Sequence, residues 1–406
     1  MPRPIRLAAG WSLAMLAAFL LNLAIPRPAA APDVAALTPS RSPVAPSAAP
    51  SAAELPPISS PPTGEDIDGG ALRPVALAPL SHAQAAALQA ATHRARTAFG
   101  LDALAIGVSL HGSAGWTGAS GVARDGVTRL DGDSPFAIAS ITKTFTAALV
   151  LQLVEEGRLS LQDRASDLLP GVRVPPDVTV AELLRHTSGI ADILPTLRDP
   201  LNADIERIWT PAEVAEKVAS PWFAPGRSWA YSNTNFVLLG MIVERVGGQP
   251  FGVQLRDRLL RPLALSHTGV LLSRDAPPLM VPSWASAFST AGSMYASAHD
   301  LLAWGDALYR GRVLAPSSLR RMLAFERHDY GMAAETIHVG ALTGYGHSGL
   351  LRGYTSLLVR LPGQDITLTV MGTTALFDPA RLLAHRQGEA PSILDLARRY
   401  ARRAAA

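Results

Sequence analysis

FAIASITKTFTAALVLQLVEEG, Phe136–Gly157, holds one of only two lysines in a chain of 406 residues. The other is Lys217, and every remaining cation is arginine. A guanidinium stays protonated in a protein, whereas a lysine ammonium gives up its proton readily once it is buried. A lysine kept three residues after Ser140 is therefore a candidate for proton transfer. From Ser140 to Glu156 the stretch is rich in helix formers, and it meets Gly157 as a stop, so a helix is expected. Residues three apart share a helix face, which sets Ser140 beside the amine of Lys143. The segment TFTAALVLQLV is apolar, the mark of a central buried helix, and low dielectric there pushes lysine toward the neutral base. The helix N-terminus adds a positive potential that favours an alkoxide or oxyanion.

Outward from this helix the periodicity changes on both sides. Before it, SHAQAAALQAATHRARTAFG reads as a capped helix stopped by Gly100, and ALAIGVSL, Ala103–Leu110, reads as a buried strand. The turn HGSAG leads to a second strand region, TGASGVA. From about Phe136 to Pro316 the pattern is mainly helical. TSLLVRL and ITLTVMG then flank PGQD as a hairpin, and a last helix is expected from Pro391 to Arg403. Strands at both ends with helices between them imply an α+β fold: a mostly antiparallel sheet flanked by N- and C-terminal helices, with a large all-helical insertion.

Composition narrows the function classes. The net charge is +3 and the arginines are scattered, with no aromatic interleaving, so nucleic acid is not an expected partner. The one basic run, Arg398, Arg399, Arg402 and Arg403, reads as a solvated helix face. With no cysteine there is no disulfide, thiolate metal site or cysteine nucleophile. Arg3 and Arg6 precede Leu7–Ile25, nineteen uncharged residues at the boundary between a signal peptide and a membrane anchor. Residues 1–25 are read as one of these, with the rest of the chain sent outward to a periplasmic or extracellular location. Residues 26–80, rich in proline, alanine and serine, are expected to form a disordered tether, and residues 81–406 the folded domain.

Two further stretches accompany the serine and lysine. Tyr231-Ser232-Asn233 follows the turn APGRSWA and offers a proton carrier and an amide donor two residues apart. GYGHSGL places His347 among glycines, which allow close approach of another backbone or a ligand.

Ser140-x-x-Lys143, Tyr231-x-Asn233 and His347-Ser348-Gly349, in that order, resemble the three-motif signature of penicillin-recognising serine enzymes. The likeness is to the class C β-lactamase and D-alanyl-D-alanine carboxypeptidase family, which also includes esterases and D-aminopeptidases. It covers about Ser81 to Tyr400 and extends to LLRHTSGI, LVEEGRLSLQDRASDLLPGV and STAGSMYASAHDLLAWGDAL. The resemblance implies that Ser140 is the acyl-accepting nucleophile, with Lys143 and Tyr231 sharing its proton. It implies that Asn233 holds the substrate amide and orients Lys143. The backbone N–H groups of Ser140 and Leu350 then form the oxyanion hole. His347 and Ser348 stand where many relatives have lysine and threonine. A histidine grips a substrate carboxylate only when protonated, which shifts the expectation from β-lactamase toward peptidase or esterase. Arg352 is the candidate for a fixed charge in its place. The implied function is a serine hydrolase working through an acyl-enzyme. A D-alanyl-D-alanine carboxypeptidase-like activity on a small-molecule or peptide substrate leads, with β-lactamase, esterase and a non-catalytic penicillin sensor as alternatives. No cofactor is expected.

Other features carry less. His186 in LLRHTSG reads as a hydrogen-bonded histidine at a helix end. GRSWA lacks the second glycine of the G-x-S-x-G elbow. The ten histidines show no H-x-x-x-H spacing, and no metal is expected. Ser289 and Thr290 are expected near the wall of the site, in packing roles.

Overall fold

A computed structural model of the protein describes residues 72–123, 125–325, 328–373 and 376–404. The apolar segment Leu7–Ile25 and most of the proline-rich stretch lie outside the described residues. The elements in order are β1 (Ala78–Pro79), α1 (His82–Ala98), β2 (Ala103–Leu110), β3 (Ala114–Gly121) and β4 (Phe136–Ala137), then α2 (Thr142–Glu155), α3 (Ala165–Leu168), α4 (Val180–Arg185), α5 (Leu194–Ala203), α6 (Pro211–Glu216), α7 (Asn233–Gly247) and α8 (Phe251–Leu255). They continue with β5 (Gly269–Val270), α9 (Pro282–Gly292), β6 (Met294–Ala296), α10 (Ala298–Tyr309) and α11 (Pro316–Met322). Last come β7 (Glu335–Val339), β8 (Leu342–Leu351), β9 (Tyr354–Leu361), β10 (Ile366–Thr373), α12 (Pro379–Ala384) and α13 (Ile393–Ala404).

Seven strands form one sheet in the order β1-β3-β2-β10-β9-β8-β7, antiparallel except for the β1–β3 pair. Helices cover both faces, and β2 shows why the sheet needs them. Its side chains alternate in size: Leu104, Ile106, Val108 and Leu110 join the core shared with α1 and α13, while Ala103 and Ala105 join the core facing the helical layer. A Cβ at Gly107, on the small-residue face, would lie 3.3 Å from the Ala298 carbonyl and 3.3 Å from Leu302 Cβ, so α10 packs directly on the backbone there. A buried Leu or Ile of this kind contributes about 1.5–3 kcal/mol. At the start of α1, Ser81 and Gln84 form a reciprocal capping box.

Two expectations are revised. Ala78 and Pro79, assigned to the tether, pair in parallel with Ala114 and Gly115, so the ordered domain begins before residue 81. Proline is tolerated there because β1 is an edge strand. The helical insertion is not all helical either: β4, β6 and β5 form a three-stranded sheet within it. Strands of two or three residues are too short to show an alternation.

Candidate active site

The expected helix from Ser140 begins differently from its pattern. Ala139, Ser140 and Ile141 form a 3₁₀ turn, and α2 starts only at Thr142. Ala139 has φ 48°, a left-handed backbone at a residue with a side chain, and such strain concentrates at functional sites. Strand β8 runs close beside this turn. A Cβ on Gly349 would sit 2.3 Å from the Ile138 carbonyl and 2.2 Å from Ser356 Oγ, so only glycine fits. Ser356 Oγ in turn donates to the Ile138 carbonyl at 2.8 Å, tying β9 to the same turn.

Lys143 is fully buried, and its Nζ lies 3.0 Å from Ser140 Oγ, 2.9 Å from Asn233 Oδ1 and 2.6 Å from the Ala291 carbonyl. Two of these partners accept only, so they take two N–H groups of the amine. In the neutral amine the lone pair then faces Ser140 Oγ. Burial drives the pKa down to about 7, against the opposing pull of the Asp192 and Glu335 carboxylates. The Asn233 amide is oriented by Asp192, whose Oδ1 accepts the Asn233 backbone N–H at 2.8 Å and Nδ2 at 3.1 Å. With Nδ2 held by the carboxylate, Oδ1 must face Lys143. Asp192 is itself buried, and desolvation raises its pKa. The Ala291 carbonyl is delivered by a bend in α9, where Ser289 has φ 28°. Thr290, beside it, donates to the Phe236 carbonyl and so packs α9 on α7.

Tyr231 completes the cluster. Its hydroxyl is hydrogen-bonded to Ser140, and burial raises its pKa well above the usual tyrosine range, so the phenol holds its proton. The Lys143 Nζ lies 4.9 Å from the centre of the Tyr231 ring. Behind that ring His186 packs at 4.3 Å between centroids. His186 closes α4 with φ 60°, and its Nδ1 accepts from the Ser232 N–H at 3.2 Å and pairs with Asn235 Nδ2 at 3.1 Å. Burial pushes its pKa well below the usual value, so it stays neutral as a prop for Tyr231.

The third motif lies within β8. Ser348 donates its N–H to Glu335 Oε1 at 2.5 Å, away from β9. Because strand N–H groups alternate in direction, the Leu350 N–H points the same way, beyond the end of the β7 pairing. His347 projects from the same strand face as Gly349, but its ring is committed. Nε2 meets the Tyr330 hydroxyl at 2.9 Å and Nδ1 meets the Ser348 carbonyl at 2.5 Å. A carbonyl accepts only, so Nδ1 donates and Nε2 accepts from Tyr330. Burial lowers the His347 pKa, and the ring is neutral. Arg352 is exposed on the β8–β9 turn, where Nη1 reaches Asn202 Oδ1 of α5 at 2.8 Å.

Thus Ser140, Lys143, Tyr231 and Asn233 come together, with Ser348, Gly349 and Leu350 along the adjoining strand. His347 and Arg352 are held by other partners. Four groups escaped the sequence reading: Asp192, Glu335, Tyr330 and the Ala291 carbonyl. A lone carboxylate in HTSGIAD or in ETIHV has no distinguishing spacing, and a backbone carbonyl leaves no sequence signal. Among the described residues no group of three or more histidine, aspartate and glutamate side chains is placed to hold a metal ion.

The profile of the beta-lactamase family matches residues 88–390. The chain belongs to the beta-lactamase family. Within it, the chain is 31% identical over 293 residues to penicillin-binding protein 4 of Amycolatopsis lactamdurans, covering 62% of this chain and 76% of that one. It is 32% identical over 149 residues to penicillin-binding protein 4* of Bacillus subtilis, a match that spans 32% of that protein's length. Among solved structures, a D-stereospecific amidohydrolase from Streptomyces sp. superposes with TM-score 0.63 at 31% identity, covering 75% of this chain and 99% of that one. A D-amino acid amidase from Ochrobactrum anthropi superposes with the same TM-score at 25% identity, covering 71% of this chain and 91% of that one. The protein is a serine hydrolase of the beta-lactamase and penicillin-binding superfamily.

Proposed function

We propose that this member of the family cleaves amide bonds through an acyl-enzyme on Ser140, taking substrates whose acyl residue has the D configuration. The observation that carries the reading is the buried Lys143 amine, with two N–H groups engaged and its remaining position 3.0 Å from Ser140 Oγ. As Oγ attacks the carbonyl carbon, its proton passes to neutral Lys143, and the carbonyl electron pair moves to oxygen. The N–H groups of Ser140 and Leu350 receive that oxyanion. Collapse of the intermediate breaks the C–N bond, and the departing amine takes a proton from the Tyr231–Lys143 pair. Water then attacks the acyl carbon and gives a proton to the same pair, and collapse breaks the acyl–Oγ bond as the pair returns that proton to Ser140 Oγ.

A neutral leaving group suits the site, because the His347 ring has no open position for a carboxylate. The D preference and the amide bond are those named for the Streptomyces and Ochrobactrum structures. A second reading, hydrolysis of a peptide ending in D-alanyl-D-alanine, is favoured by the exposed Arg352 beyond Leu350. It requires Arg352 to leave Asn202 and take the terminal carboxylate.

The test is to incubate the full chain in detergent with D- and L-phenylalanine amide, a D-alanyl-D-alanine peptide, a nitrophenyl ester and a penicillin. Product formation and the intact mass of the protein are followed together. Faster cleavage of the D amide, followed as ammonia, than of the L amide or of the peptide, followed as released D-alanine, supports the first reading, and preference for the peptide supports the second. No turnover and no adduct that Ser140→Ala abolishes would refute both.

A further inference from the structure

One end of the large sheet gathers three features that the catalytic reading does not use. The β2–β3 turn, His111–Ser113, receives the incoming chain, since the Ala78 N–H donates to the Ser113 carbonyl at 2.8 Å. The same turn receives the last part of α13, where His111 Nε2 lies 3.0 Å from the Ala401 carbonyl. The β9–β10 turn joins them: the His111 N–H donates to the Asp365 carbonyl at 2.9 Å, and Arg398 Nε reaches Gln364 Oε1 at 3.4 Å. The buried side of α13 is Ile393, Leu394, Leu396, Ala397, Tyr400 and Ala401. Its outer side therefore turns Arg399, Arg402 and Arg403 to solvent at this end. The nearby Asp365 carboxylate does not neutralise them, because Arg310, Arg360 and His111 already hold it.

The active site is at the opposite end. Strand β9 runs from Tyr354, paired with Leu351 next to the Leu350 N–H, to Leu361, just before the β9–β10 turn. At about 3.4 Å per residue the two ends are separated by roughly 20 Å. The chain preceding β1 contains the uncharged segment Leu7–Ile25 and a proline-rich stretch. The arginine-bearing end of the domain is thus also the end at which the chain enters β1.

We propose that the Arg399, Arg402 and Arg403 face of α13 docks on the anionic phospholipid surface of the membrane in which Leu7–Ile25 is anchored, directing the Ser140 cleft away from the bilayer. The proposal rests on the anchor reading of that segment. A tethered basic face meets lipid phosphates at high effective concentration, and each arginine near an anionic surface favours it by about fivefold, or on the order of a hundredfold for three.

The absence of cysteine makes the test direct. The full chain is labelled with a fluorophore at S113C, an exposed position in the β2–β3 turn, or at V127C, 80% exposed beyond the far end of β3. Each is reconstituted into vesicles carrying a headgroup quencher. In phosphatidylglycerol–phosphatidylcholine vesicles the S113C label is expected to be quenched and the V127C label not. Pure phosphatidylcholine, 0.5 M salt, or the triple variant R399E/R402E/R403E is expected to release the S113C label while the protein still floats with the vesicles. Hydrolytic activity in detergent is expected to be unchanged in the triple variant. Quenching that is equal at both labels, or indifferent to lipid charge and to the triple variant, overturns the docking. Failure to float with any vesicle overturns the anchor on which it rests.

Discussion

Replacing Asp192 by asparagine tests how the lysine base is tuned. The carboxylate accepts from both the backbone N–H and the side-chain amide of Asn233 and has no hydrogen bond to Lys143, yet its charge opposes the effect of burial on the amine. Acylation needs neutral Lys143, so the rate rises as pH climbs through about 7, the pKa to which burial brings the amine. Removing the negative charge favours the neutral amine further, and the acid limb of the kcat/KM profile moves to lower pH. With one amide group between them, Asp192 and Lys143 are separated by roughly 7 Å, which at an effective dielectric of about 20 gives ~2.4 kcal/mol, or ~1.7 pH units. Relaxation reduces this, and a downward displacement of about one to two units is expected. The asparagine retains an oxygen to accept from Asn233, so the rate on the alkaline plateau is expected to fall by less than about tenfold, far less than the loss of a general base. The assay is the pH dependence of kcat/KM on an amide or nitrophenyl ester from pH 5 to 9. An unmoved or upward-moved acid limb, with the plateau preserved, would refute the assignment of Lys143 as the base and of Asp192 as its counter-charge.

Lys143→Arg keeps a cation where a base is required, and acylation is expected to slow by about 10²- to 10⁴-fold with near-UV circular dichroism preserved; acylation at the original rate would contradict the proton-carrier role. Gly349→Ala drives a methyl group into the Ile138 carbonyl and Ser356, displacing the nucleophile turn from β8. A loss of about 10² in kcat is expected, because a shift of about 1 Å suffices for that, and unchanged single-turnover acylation would refute it. Arg352→Ala separates the two substrate readings: it raises KM for a D-alanyl-D-alanine peptide if the guanidinium binds a carboxylate, and leaves amide hydrolysis unaltered if it serves only Asn202.

The legibility of the site followed the range of the interactions involved. Ser140 and Lys143 are one helical turn apart, so their encounter was implied by local geometry, although the 3₁₀ turn and the strained Ala139 that aim the serine were not. His347 was visible as a position but not as a state. Its ring is engaged by Tyr330, 17 residues away, and its neutrality comes from burial that no local pattern reports. Asp192 and Glu335 illustrate the same limit, since each is a single carboxylate whose importance comes from the amide or strand edge it meets.

Alone, the chain determined where the longer helices and the strands β2, β3, β9 and β10 form, because the spacing of apolar residues and the capping residues act over a few positions, whereas the two- and three-residue strands left no such pattern. It also determined that a rare lysine stands one turn from a serine, and which superfamily that pairing resembles. Only the tertiary structure decided which remote groups close around that pair and which candidate, His347, is turned to another partner. It also decided which end of the sheet carries both the arginines and the incoming chain. Those outcomes depend on burial and on contacts between residues far apart in the chain, and such contacts exist only after the sheet and its helices have packed.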